Sequence, residues 1–196
     1  MEKLLSEAVA ILKNGGAIVY PTETVYGLGG NALDQVVVEK IFKIKGRVKN
    51  KPLIVLVKDL LMAGELCEVD SFEGVLRRYW PGALTGIFKA RKEFPKGVLK
   101  NGRVAIRVSP HPVTIKLFKM IDLPLISTSA NRSGGENCLD IEQVKKSLGE
   151  RYKMVDFVID GGKIPSSPPS TLIDFTVTPP KVLRQGNVIY SPYAGY

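Results

Sequence analysis

Residues 16–34 read GAIVYPTETVYGLGGNALD, and this stretch sets the fold class. Ala17-Ile18-Val19-Tyr20 is a short apolar run of β-branched and aromatic side chains, the pattern of a buried strand. Pro21 is expected to end that strand, because proline has no N–H to give to a ladder. Thr22-Glu23-Thr24 follows with two hydroxyls and a carboxylate, and Gly27-Leu28-Gly29-Gly30 reads as a glycine-rich turn. Asn31 and Asp34 stand where they can cap a helix that begins near Gln35. Small polar residues and glycines between a strand and a helix are where open α/β sheets place their ligands.

Outward from this stretch, strands and helices alternate. Glu2–Lys13 carries Leu5, Ala8, Val9 and Leu12 at helical spacing, and Asn14-Gly15-Gly16 stops it. Gln35–Lys45 is a second helix with Val37, Val38, Ile41 and Phe42 on one face, closed by Gly46. Leu53–Val57, Leu84–Phe88, Val104–Val108, Leu125–Ser129, Phe157–Asp160, Thr171–Phe175 and Val182–Arg184 read as strands. Phe72–Tyr79, Val113–Ile121 and Ile141–Leu148 read as helices. Ile164–Pro169 is an extended loop. No fixed repeat is present, so the pattern predicts an α/β fold with a large mixed sheet.

The chain has 196 residues, 44% hydrophobic and 24% charged, which suits one globular domain. No apolar run approaches the roughly 18 residues that span a bilayer. The acidic interruptions Glu2 and Glu7 make the first helix unlike a signal peptide, so a cytoplasmic location and no membrane partner are expected. Cys67 and Cys138 are far apart in sequence and are expected to be small buried hydrophobes. The net charge of +9 favours polyanionic partners: nucleotide, pyrophosphate or nucleic acid. Seven lysines and arginines fall between Lys40 and Lys58 without one acid, a run that reads either as a phosphate site or as the solvated end of a basic helix.

Several chemistries are excluded. His111 is the only histidine, so multi-histidine metal sites are absent; between two prolines it reads as a helix-entry residue. Gly97–Gly102 has Walker-type glycine spacing, but Arg103-Val104 stands where Lys-Ser/Thr is needed. What remains is a set of binding groups. Lys45 and Arg47 flank Gly46, whose lack of a side chain lets backbone approach a phosphate. Ser127, Thr128, Ser129 and Asn131 follow a buried strand. Arg107 ends another strand, where it can clamp a carboxylate or form an ordinary ion pair. Ser170-Thr171 and Arg184 lie near the last strands.

The segments PTETVYGLG, KGR at 45–47 and STSAN at 127–131 together resemble the YrdC/Sua5/TsaC family, from about Leu4 to Arg184. The resemblance implies a single-domain YrdC-like α/β fold over residues 1–190. Its twisted mixed β-sheet would carry flanking helices and a concave basic cleft, with 191–196 as a loose C-terminal tail. It also implies a threonylcarbamoyl-AMP synthase, a nucleotidyltransferase that uses L-threonine, bicarbonate and ATP as substrates, with Mg2+ as companion. Its product serves N6-threonylcarbamoyladenosine modification of tRNA through a downstream threonylcarbamoyl transferase complex, and a weak contact with tRNA goes with that role. By resemblance Lys45, Arg47, Ser129 and Asn131 hold the ATP phosphates, with Lys45 and Arg47 catalytic and Asn137 and Arg184 completing the ATP site, and Arg103 near it. Thr22, Arg107, Ser127 and Ser170 match threonine-binding positions, and no metal ligands are implied. Leu56 departs from the family, many of whose members have histidine there. An RNA-binding module and a carbamoyl-adenylate-forming domain of the same fold remain open alternatives.

Overall fold

The structure is a computed structural model and describes residues 2–47 and 52–191. In chain order the elements are α1 (Glu2–Lys13), β1 (Ile18–Pro21), β2 (Tyr26–Gly29), α2 (Gln35–Lys45), β3 (Ile54–Leu56), α3 (Leu60–Leu66), α4 (Glu73–Tyr79), β4 (Leu84–Lys89) and β5 (Arg103–Arg107). They continue with α5 (Pro112–Phe118), β6 (Leu125–Ser129), α6 (Ile141–Leu148), β7 (Phe157–Val158), β8 (Thr171–Asp174) and β9 (Lys181–Arg184). Short 3-10 segments, Asp70–Phe72 and Gly149–Met154, precede α4 and follow α6. The nine strands form a mixed sheet in the order β7-β1-β2-β6-β3-β5-β4-β8-β9.

The α/β fold with a mixed sheet is as the sequence predicts, with one correction near its start. Pro21 ends β1 as expected, as its last residue, paired with Tyr26. Gly27–Gly29 is not a turn: it belongs to β2, which runs antiparallel between β1 and β6. The glycines answer to close approach rather than to turning. A Cβ on Gly29 would lie 2.1 Å from the Ile126 carbonyl oxygen, and one on Gly30 would lie 2.5 Å from Val37 Cγ1. Only glycine admits neighbours that near. α3 is a further element that the sequence reading lacks; Asp59 caps it by accepting from the Met62 N–H at 2.9 Å.

Strand register sorts side chains into two faces, since neighbours along a strand point opposite ways. Leu28, Ile126, Val55, Ile106, Phe88 and Ile173 share one face, and their registers align them across the sheet. They form the main core with the apolar stripes of α2, α3, α4 and α6. The other face carries Tyr20, Leu56 and Leu125 at one end, where α1 and α5 cover them in a second cluster. Toward its other end this face carries Gly27, Ser129, Ser127, Ile54, Ala105, Ile87, Thr85, Leu172 and Arg184, joined pair by pair across the ladders. That end borders a cleft.

α2 has the caps its sequence announces. Asp34 accepts from the Val36 and Val37 N–H groups, and Gly46 closes the helix in the left-handed region at φ 56. Both cysteines are buried and free. No helix among the described residues is long and apolar enough to cross a membrane. The expected tail, but for Ser191, lies outside the described residues, as do Lys49 and Lys51 of the basic run.

His111 is the N-cap of α5: its Nδ1 accepts from the Val113 N–H at 3.2 Å, which requires a neutral ring. Burial holds its pKa below the usual 6.5. The unfolded chain therefore binds the proton at a higher pH than the folded chain. Stability is full above about pH 6.5 and falls as pH drops from there through the folded value. Thermal melts at pH 5 and pH 7.5 are expected to show this loss in the parent and a smaller one in His111→Asn, which caps without titrating. The difference is on the order of 1 kcal/mol, the worth of a cap.

Candidate functional site

The cleft has a volume of about 420 Å³. Its floor is the uncovered end of the sheet face, through Gly27, Ile54, Ile87, Ala105, Ser127, Ser129 and Leu172. Thr22 and Thr24 border it from the β1–β2 connection, and Arg47 and Pro52 from beyond the end of α2. Asn137, Pro169, Ser170 and Arg184 complete the rim. Of the ten site residues expected from sequence, eight line this one cavity: Thr22, Arg47, Arg107, Ser127, Ser129, Asn137, Ser170 and Arg184. Lys45 and Asn131 stand behind its wall.

Lys45 is 2% exposed although it is a lysine. Its ammonium donates to the Ser129 carbonyl at 2.5 Å, the Asn131 carbonyl at 2.9 Å and Asn131 Oδ1 at 3.1 Å. Three donors thus meet three acceptors. Ser129 Oγ donates to the same Oδ1 at 2.6 Å, and Asn131 Nδ2 donates to the Gly135 carbonyl at 2.5 Å. Burial, with the Arg47 charge nearby, pulls the Lys45 pKa down to about 8. The lysine is the peg on which the turn after β6 hangs, which is why Ser129 meets the cleft in a fixed position. The sequence reading set both cations beside Gly46 as phosphate groups; burial separates them, with Lys45 inside and Arg47 half-buried at the cavity. Arg47 Nη2 donates to the Pro52 carbonyl at 3.3 Å, and burial lowers its pKa.

The rest of the basic run divides as well. Lys40 is paired to Asp156 at 2.6 Å and Lys58 to Asp122 at 3.7 Å, both away from the cleft. Among its described residues the run therefore includes ion pairs, a buried peg and a cleft arginine.

Arg107 is buried rather than on the surface. Its Nε donates to the Gly82 carbonyl at 3.0 Å, and its guanidinium pairs with Glu23. Glu23 also accepts from Ser109 Oγ at 2.6 Å. Burial is the main cause that brings the Arg107 pKa down to about 10. Glu23 is a site-forming residue that the sequence reading passed over as part of a polar patch; 84 residues separate it from its partner, and no local pattern joins them. On the covered end of the same face the buried Tyr20 hydroxyl donates to the Ile126 carbonyl at 3.4 Å, and desolvation raises its pKa to about 12.

Other hydroxyls are already committed. Thr22 Oγ1 donates to the Val25 carbonyl at 2.6 Å and accepts from the Val25 N–H at 3.2 Å, so it shapes its own turn. Ser170 Oγ lies 2.8 Å from Thr85 Oγ1 and accepts from Arg184 at 3.2 Å. Thr85 was missed in the sequence, although alternation along β4 places it on the cleft face with Ile87. Arg103 pairs with Asp174 at 3.1 Å and borders an adjoining pocket of about 250 Å³. Leu56 is buried in the second cluster, beside Arg107 in register.

Among the described residues no group of three or more histidines, cysteines or carboxylates is placed to hold a metal ion. Among the described residues the cleft lining offers hydroxyls, one amide and guanidiniums, without the carboxylate by which proteins usually hold Mg2+. The donor set does not fit a protein-held magnesium ion.

The sheet order and this cleft define an α/β protein with a preorganised polar site on one end of a mixed sheet. Residues 10–186 match the family model Sua5_yciO_yrdC, described as telomere recombination, and the chain belongs to the Sua5/YciO/YrdC family. It is 35% identical over 187 residues to a threonylcarbamoyl-AMP synthase of Pyrococcus abyssi, covering 92% of this chain and 53% of that protein. A threonylcarbamoyl-AMP synthase of Bacillus subtilis is 33% identical over 188 residues, covering 94% of this chain and 54% of its own length. The chain thus spans about half the length of these two curated relatives. Among solved structures, P. abyssi Sua5 complexed with L-threonine superposes with a TM-score of 0.86 at 34% identity, over 95% of this chain and 55% of that one. Escherichia coli YciO superposes with a TM-score of 0.87 at 31% identity, over 98% and 94% of the two chains.

Proposed function

We propose that this chain is a threonylcarbamoyl-AMP synthase, which joins L-threonine, bicarbonate and ATP into threonylcarbamoyl-adenylate and pyrophosphate for N6-threonylcarbamoyladenosine in tRNA. The observation that carries the reading is the convergence of Arg47, Arg107, Ser127, Ser129 and Arg184 on one sheet face, with the buried Lys45 fixing the turn between them. Relatives named for this activity support it, as does a threonine complex of one of them.

In this reading Arg107 takes the threonine carboxylate, with Ser127, Thr22 and Ser170 shaping that end. Arg47 and Ser129 hold the ATP phosphates, Asn131 and Lys45 position Ser129 from behind the wall, and Asn137 and Arg184 take the rest of the nucleotide. The threonine amine attacks bicarbonate carbon, a C–N bond forms and water leaves. A carbamate oxygen then attacks the α-phosphorus; the bond from the α-phosphorus to its bridging oxygen breaks, and pyrophosphate departs with the electron pair. The cleft's task is to gather anions and offset their repulsion, which guanidiniums and fixed donors do without a covalent intermediate. No step here is assigned to magnesium. The chain works in the cytoplasm, upstream of the transferase complex that consumes the adenylate.

The test is pyrophosphate release with each substrate omitted in turn. Release is expected only with threonine, bicarbonate and ATP together, and tRNA is expected to leave the rate unchanged. Equal release without threonine overturns the assignment. Tight tRNA binding at physiological salt with no ATP turnover favours the RNA-binding module.

A further inference from the structure

Ser170 borders the cleft, yet its hydroxyl is held from behind. Its Oγ lies 2.8 Å from Thr85 Oγ1 and accepts from Arg184 Nη2 at 3.2 Å. Thr85 itself is fully buried in β4, behind Ser170 rather than on the cavity wall. We propose that Thr85 is a positioning residue: it donates its hydroxyl hydrogen to Ser170 and so makes the Ser170 hydroxyl a donor aimed into the cleft, for a carboxylate oxygen of the bound amino acid.

Counting hydrogens gives the direction. A hydroxyl has one hydrogen to donate and two lone pairs to accept with. Among the described residues the hydrogen-bond partner of Thr85 Oγ1 is Ser170 Oγ. If Ser170 donated to Thr85, the Thr85 hydrogen would point into packed protein without an acceptor, and a buried donor left unmade is the costly arrangement. With Thr85 donating, every group is satisfied. Ser170 then accepts twice, from Thr85 and from Arg184, and both of its lone pairs are filled. Its own hydrogen has one direction left, the cavity. A hydroxyl in that state can bond a ligand only through an acceptor atom.

The backbone of Ser170 is fixed as well. Its carbonyl accepts from Arg184 Nε at 3.2 Å and from Nη2 at 2.9 Å. The Thr171 N–H donates to the Ala83 carbonyl at 2.9 Å, in step with the β4–β8 ladder. Gly186 lies directly on the residue: a Cβ there would be 2.6 Å from the Ser170 carbonyl carbon. A donor held in advance loses little freedom when a ligand arrives.

The ligand chemistry follows from the donors around it. Ser170 shares the cleft with the Arg107 and Arg184 guanidiniums, which can only donate. Such a set receives a carboxylate and rejects an ammonium. That the carboxylate is threonine's rests on the proposed synthase activity; the direction of the Thr85–Ser170 bond does not.

Isothermal titration of L-threonine into the parent, Thr85→Val, Thr85→Ser, Ser170→Ala and the Thr85→Val/Ser170→Ala double variant tests the role. Thr85→Val keeps the shape of the side chain and loses the hydroxyl. It is expected to weaken threonine binding about three- to tenfold, the worth of one hydrogen bond. Thr85→Ser is expected to bind close to the parent, and ATP affinity to stay the same in both. In the Ser170→Ala background Thr85→Val is expected to cost nothing further, because Thr85 acts through Ser170. Equal threonine affinity in parent and Thr85→Val, or the same loss with and without the Ser170 hydroxyl, overturns the proposal. Melting temperatures read the direction of the bond without any ligand. Ser170→Ala strands the Thr85 hydrogen and is expected to melt about 2–4 °C below the parent, and the double variant to recover that loss. A Ser170→Ala protein that melts with the parent overturns the direction. A chain that binds threonine in none of these forms overturns the synthase reading, and the melts then decide the bond alone.

Discussion

A chain carrying Arg47→Ala is expected to melt close to the parent and to lose most of its pyrophosphate-releasing turnover, by about a hundredfold or more. The two halves of that expectation have separate causes. Arg47 is half-buried at the mouth of the cleft, where it donates to the Pro52 carbonyl at 3.3 Å, so its loss opens no core. Its charge acts elsewhere, on the negative charge that shifts to the leaving pyrophosphate in the transition state. Arg47→Lys is expected to recover only part of the rate, because an ammonium cannot make the planar two-point contact of a guanidinium. Steady-state turnover beside thermal melts decides it. A folded Arg47→Ala protein with unchanged turnover removes Arg47 from the proposed chemistry.

The neighbouring cation is expected to behave in the opposite way. Lys45→Met keeps the length and apolar stem of the side chain but removes the ammonium that serves Ser129 and Asn131. Three buried acceptors then lose their donor, each worth about 1–3 kcal/mol, offset by no longer burying a charge. The net loss is about 2–3 kcal/mol, or roughly 4–12 °C in Tm for a chain of this size. Turnover falls as well, because Ser129 loses the turn that holds it. Differential scanning calorimetry on Lys45→Met and Arg47→Ala separates the two roles. A Lys45→Met protein that melts with the parent shows that the peg is dispensable.

Which parts of this site could be read in advance follows from the range of the interactions. α2 was legible to the residue because its signals are local: Asp34 before it, an apolar stripe along it and Gly46 after it. β6 and its SxN turn were legible because a buried run meets hydroxyls there. β2 was not, since glycine in a strand looks like a turn until the Ile126 carbonyl that crowds it is in place. α3 was hidden by its seven-residue length and internal Gly64, although Asp59 marked its start. The burial of Lys45 ran against the preference of lysine for the surface, and it is tolerated only because three oxygens from a turn more than 80 residues away meet it. Glu23 and Arg107 likewise have no relation until the sheet brings β1 and β5 into one layer.

The pleat that separates cleft from core also governs how this chain can change length. Ser127 and Ser129 face the cleft only because an odd number of residues, Thr128 alone, stands between them, and Ile126 faces the core for the same reason. One residue inserted into β6 would exchange these roles, placing hydroxyls among the helices and an isoleucine in the cleft. The same holds for β3, β4, β5 and β8, which share the face. Growth is free only where parity is not transmitted, as at 97–102, where Gly97, Asn101 and Gly102 already turn the backbone through positive φ. The site is in this sense an odd–even property of the whole chain: it survives many substitutions at single positions more easily than the addition of one residue to any of five strands.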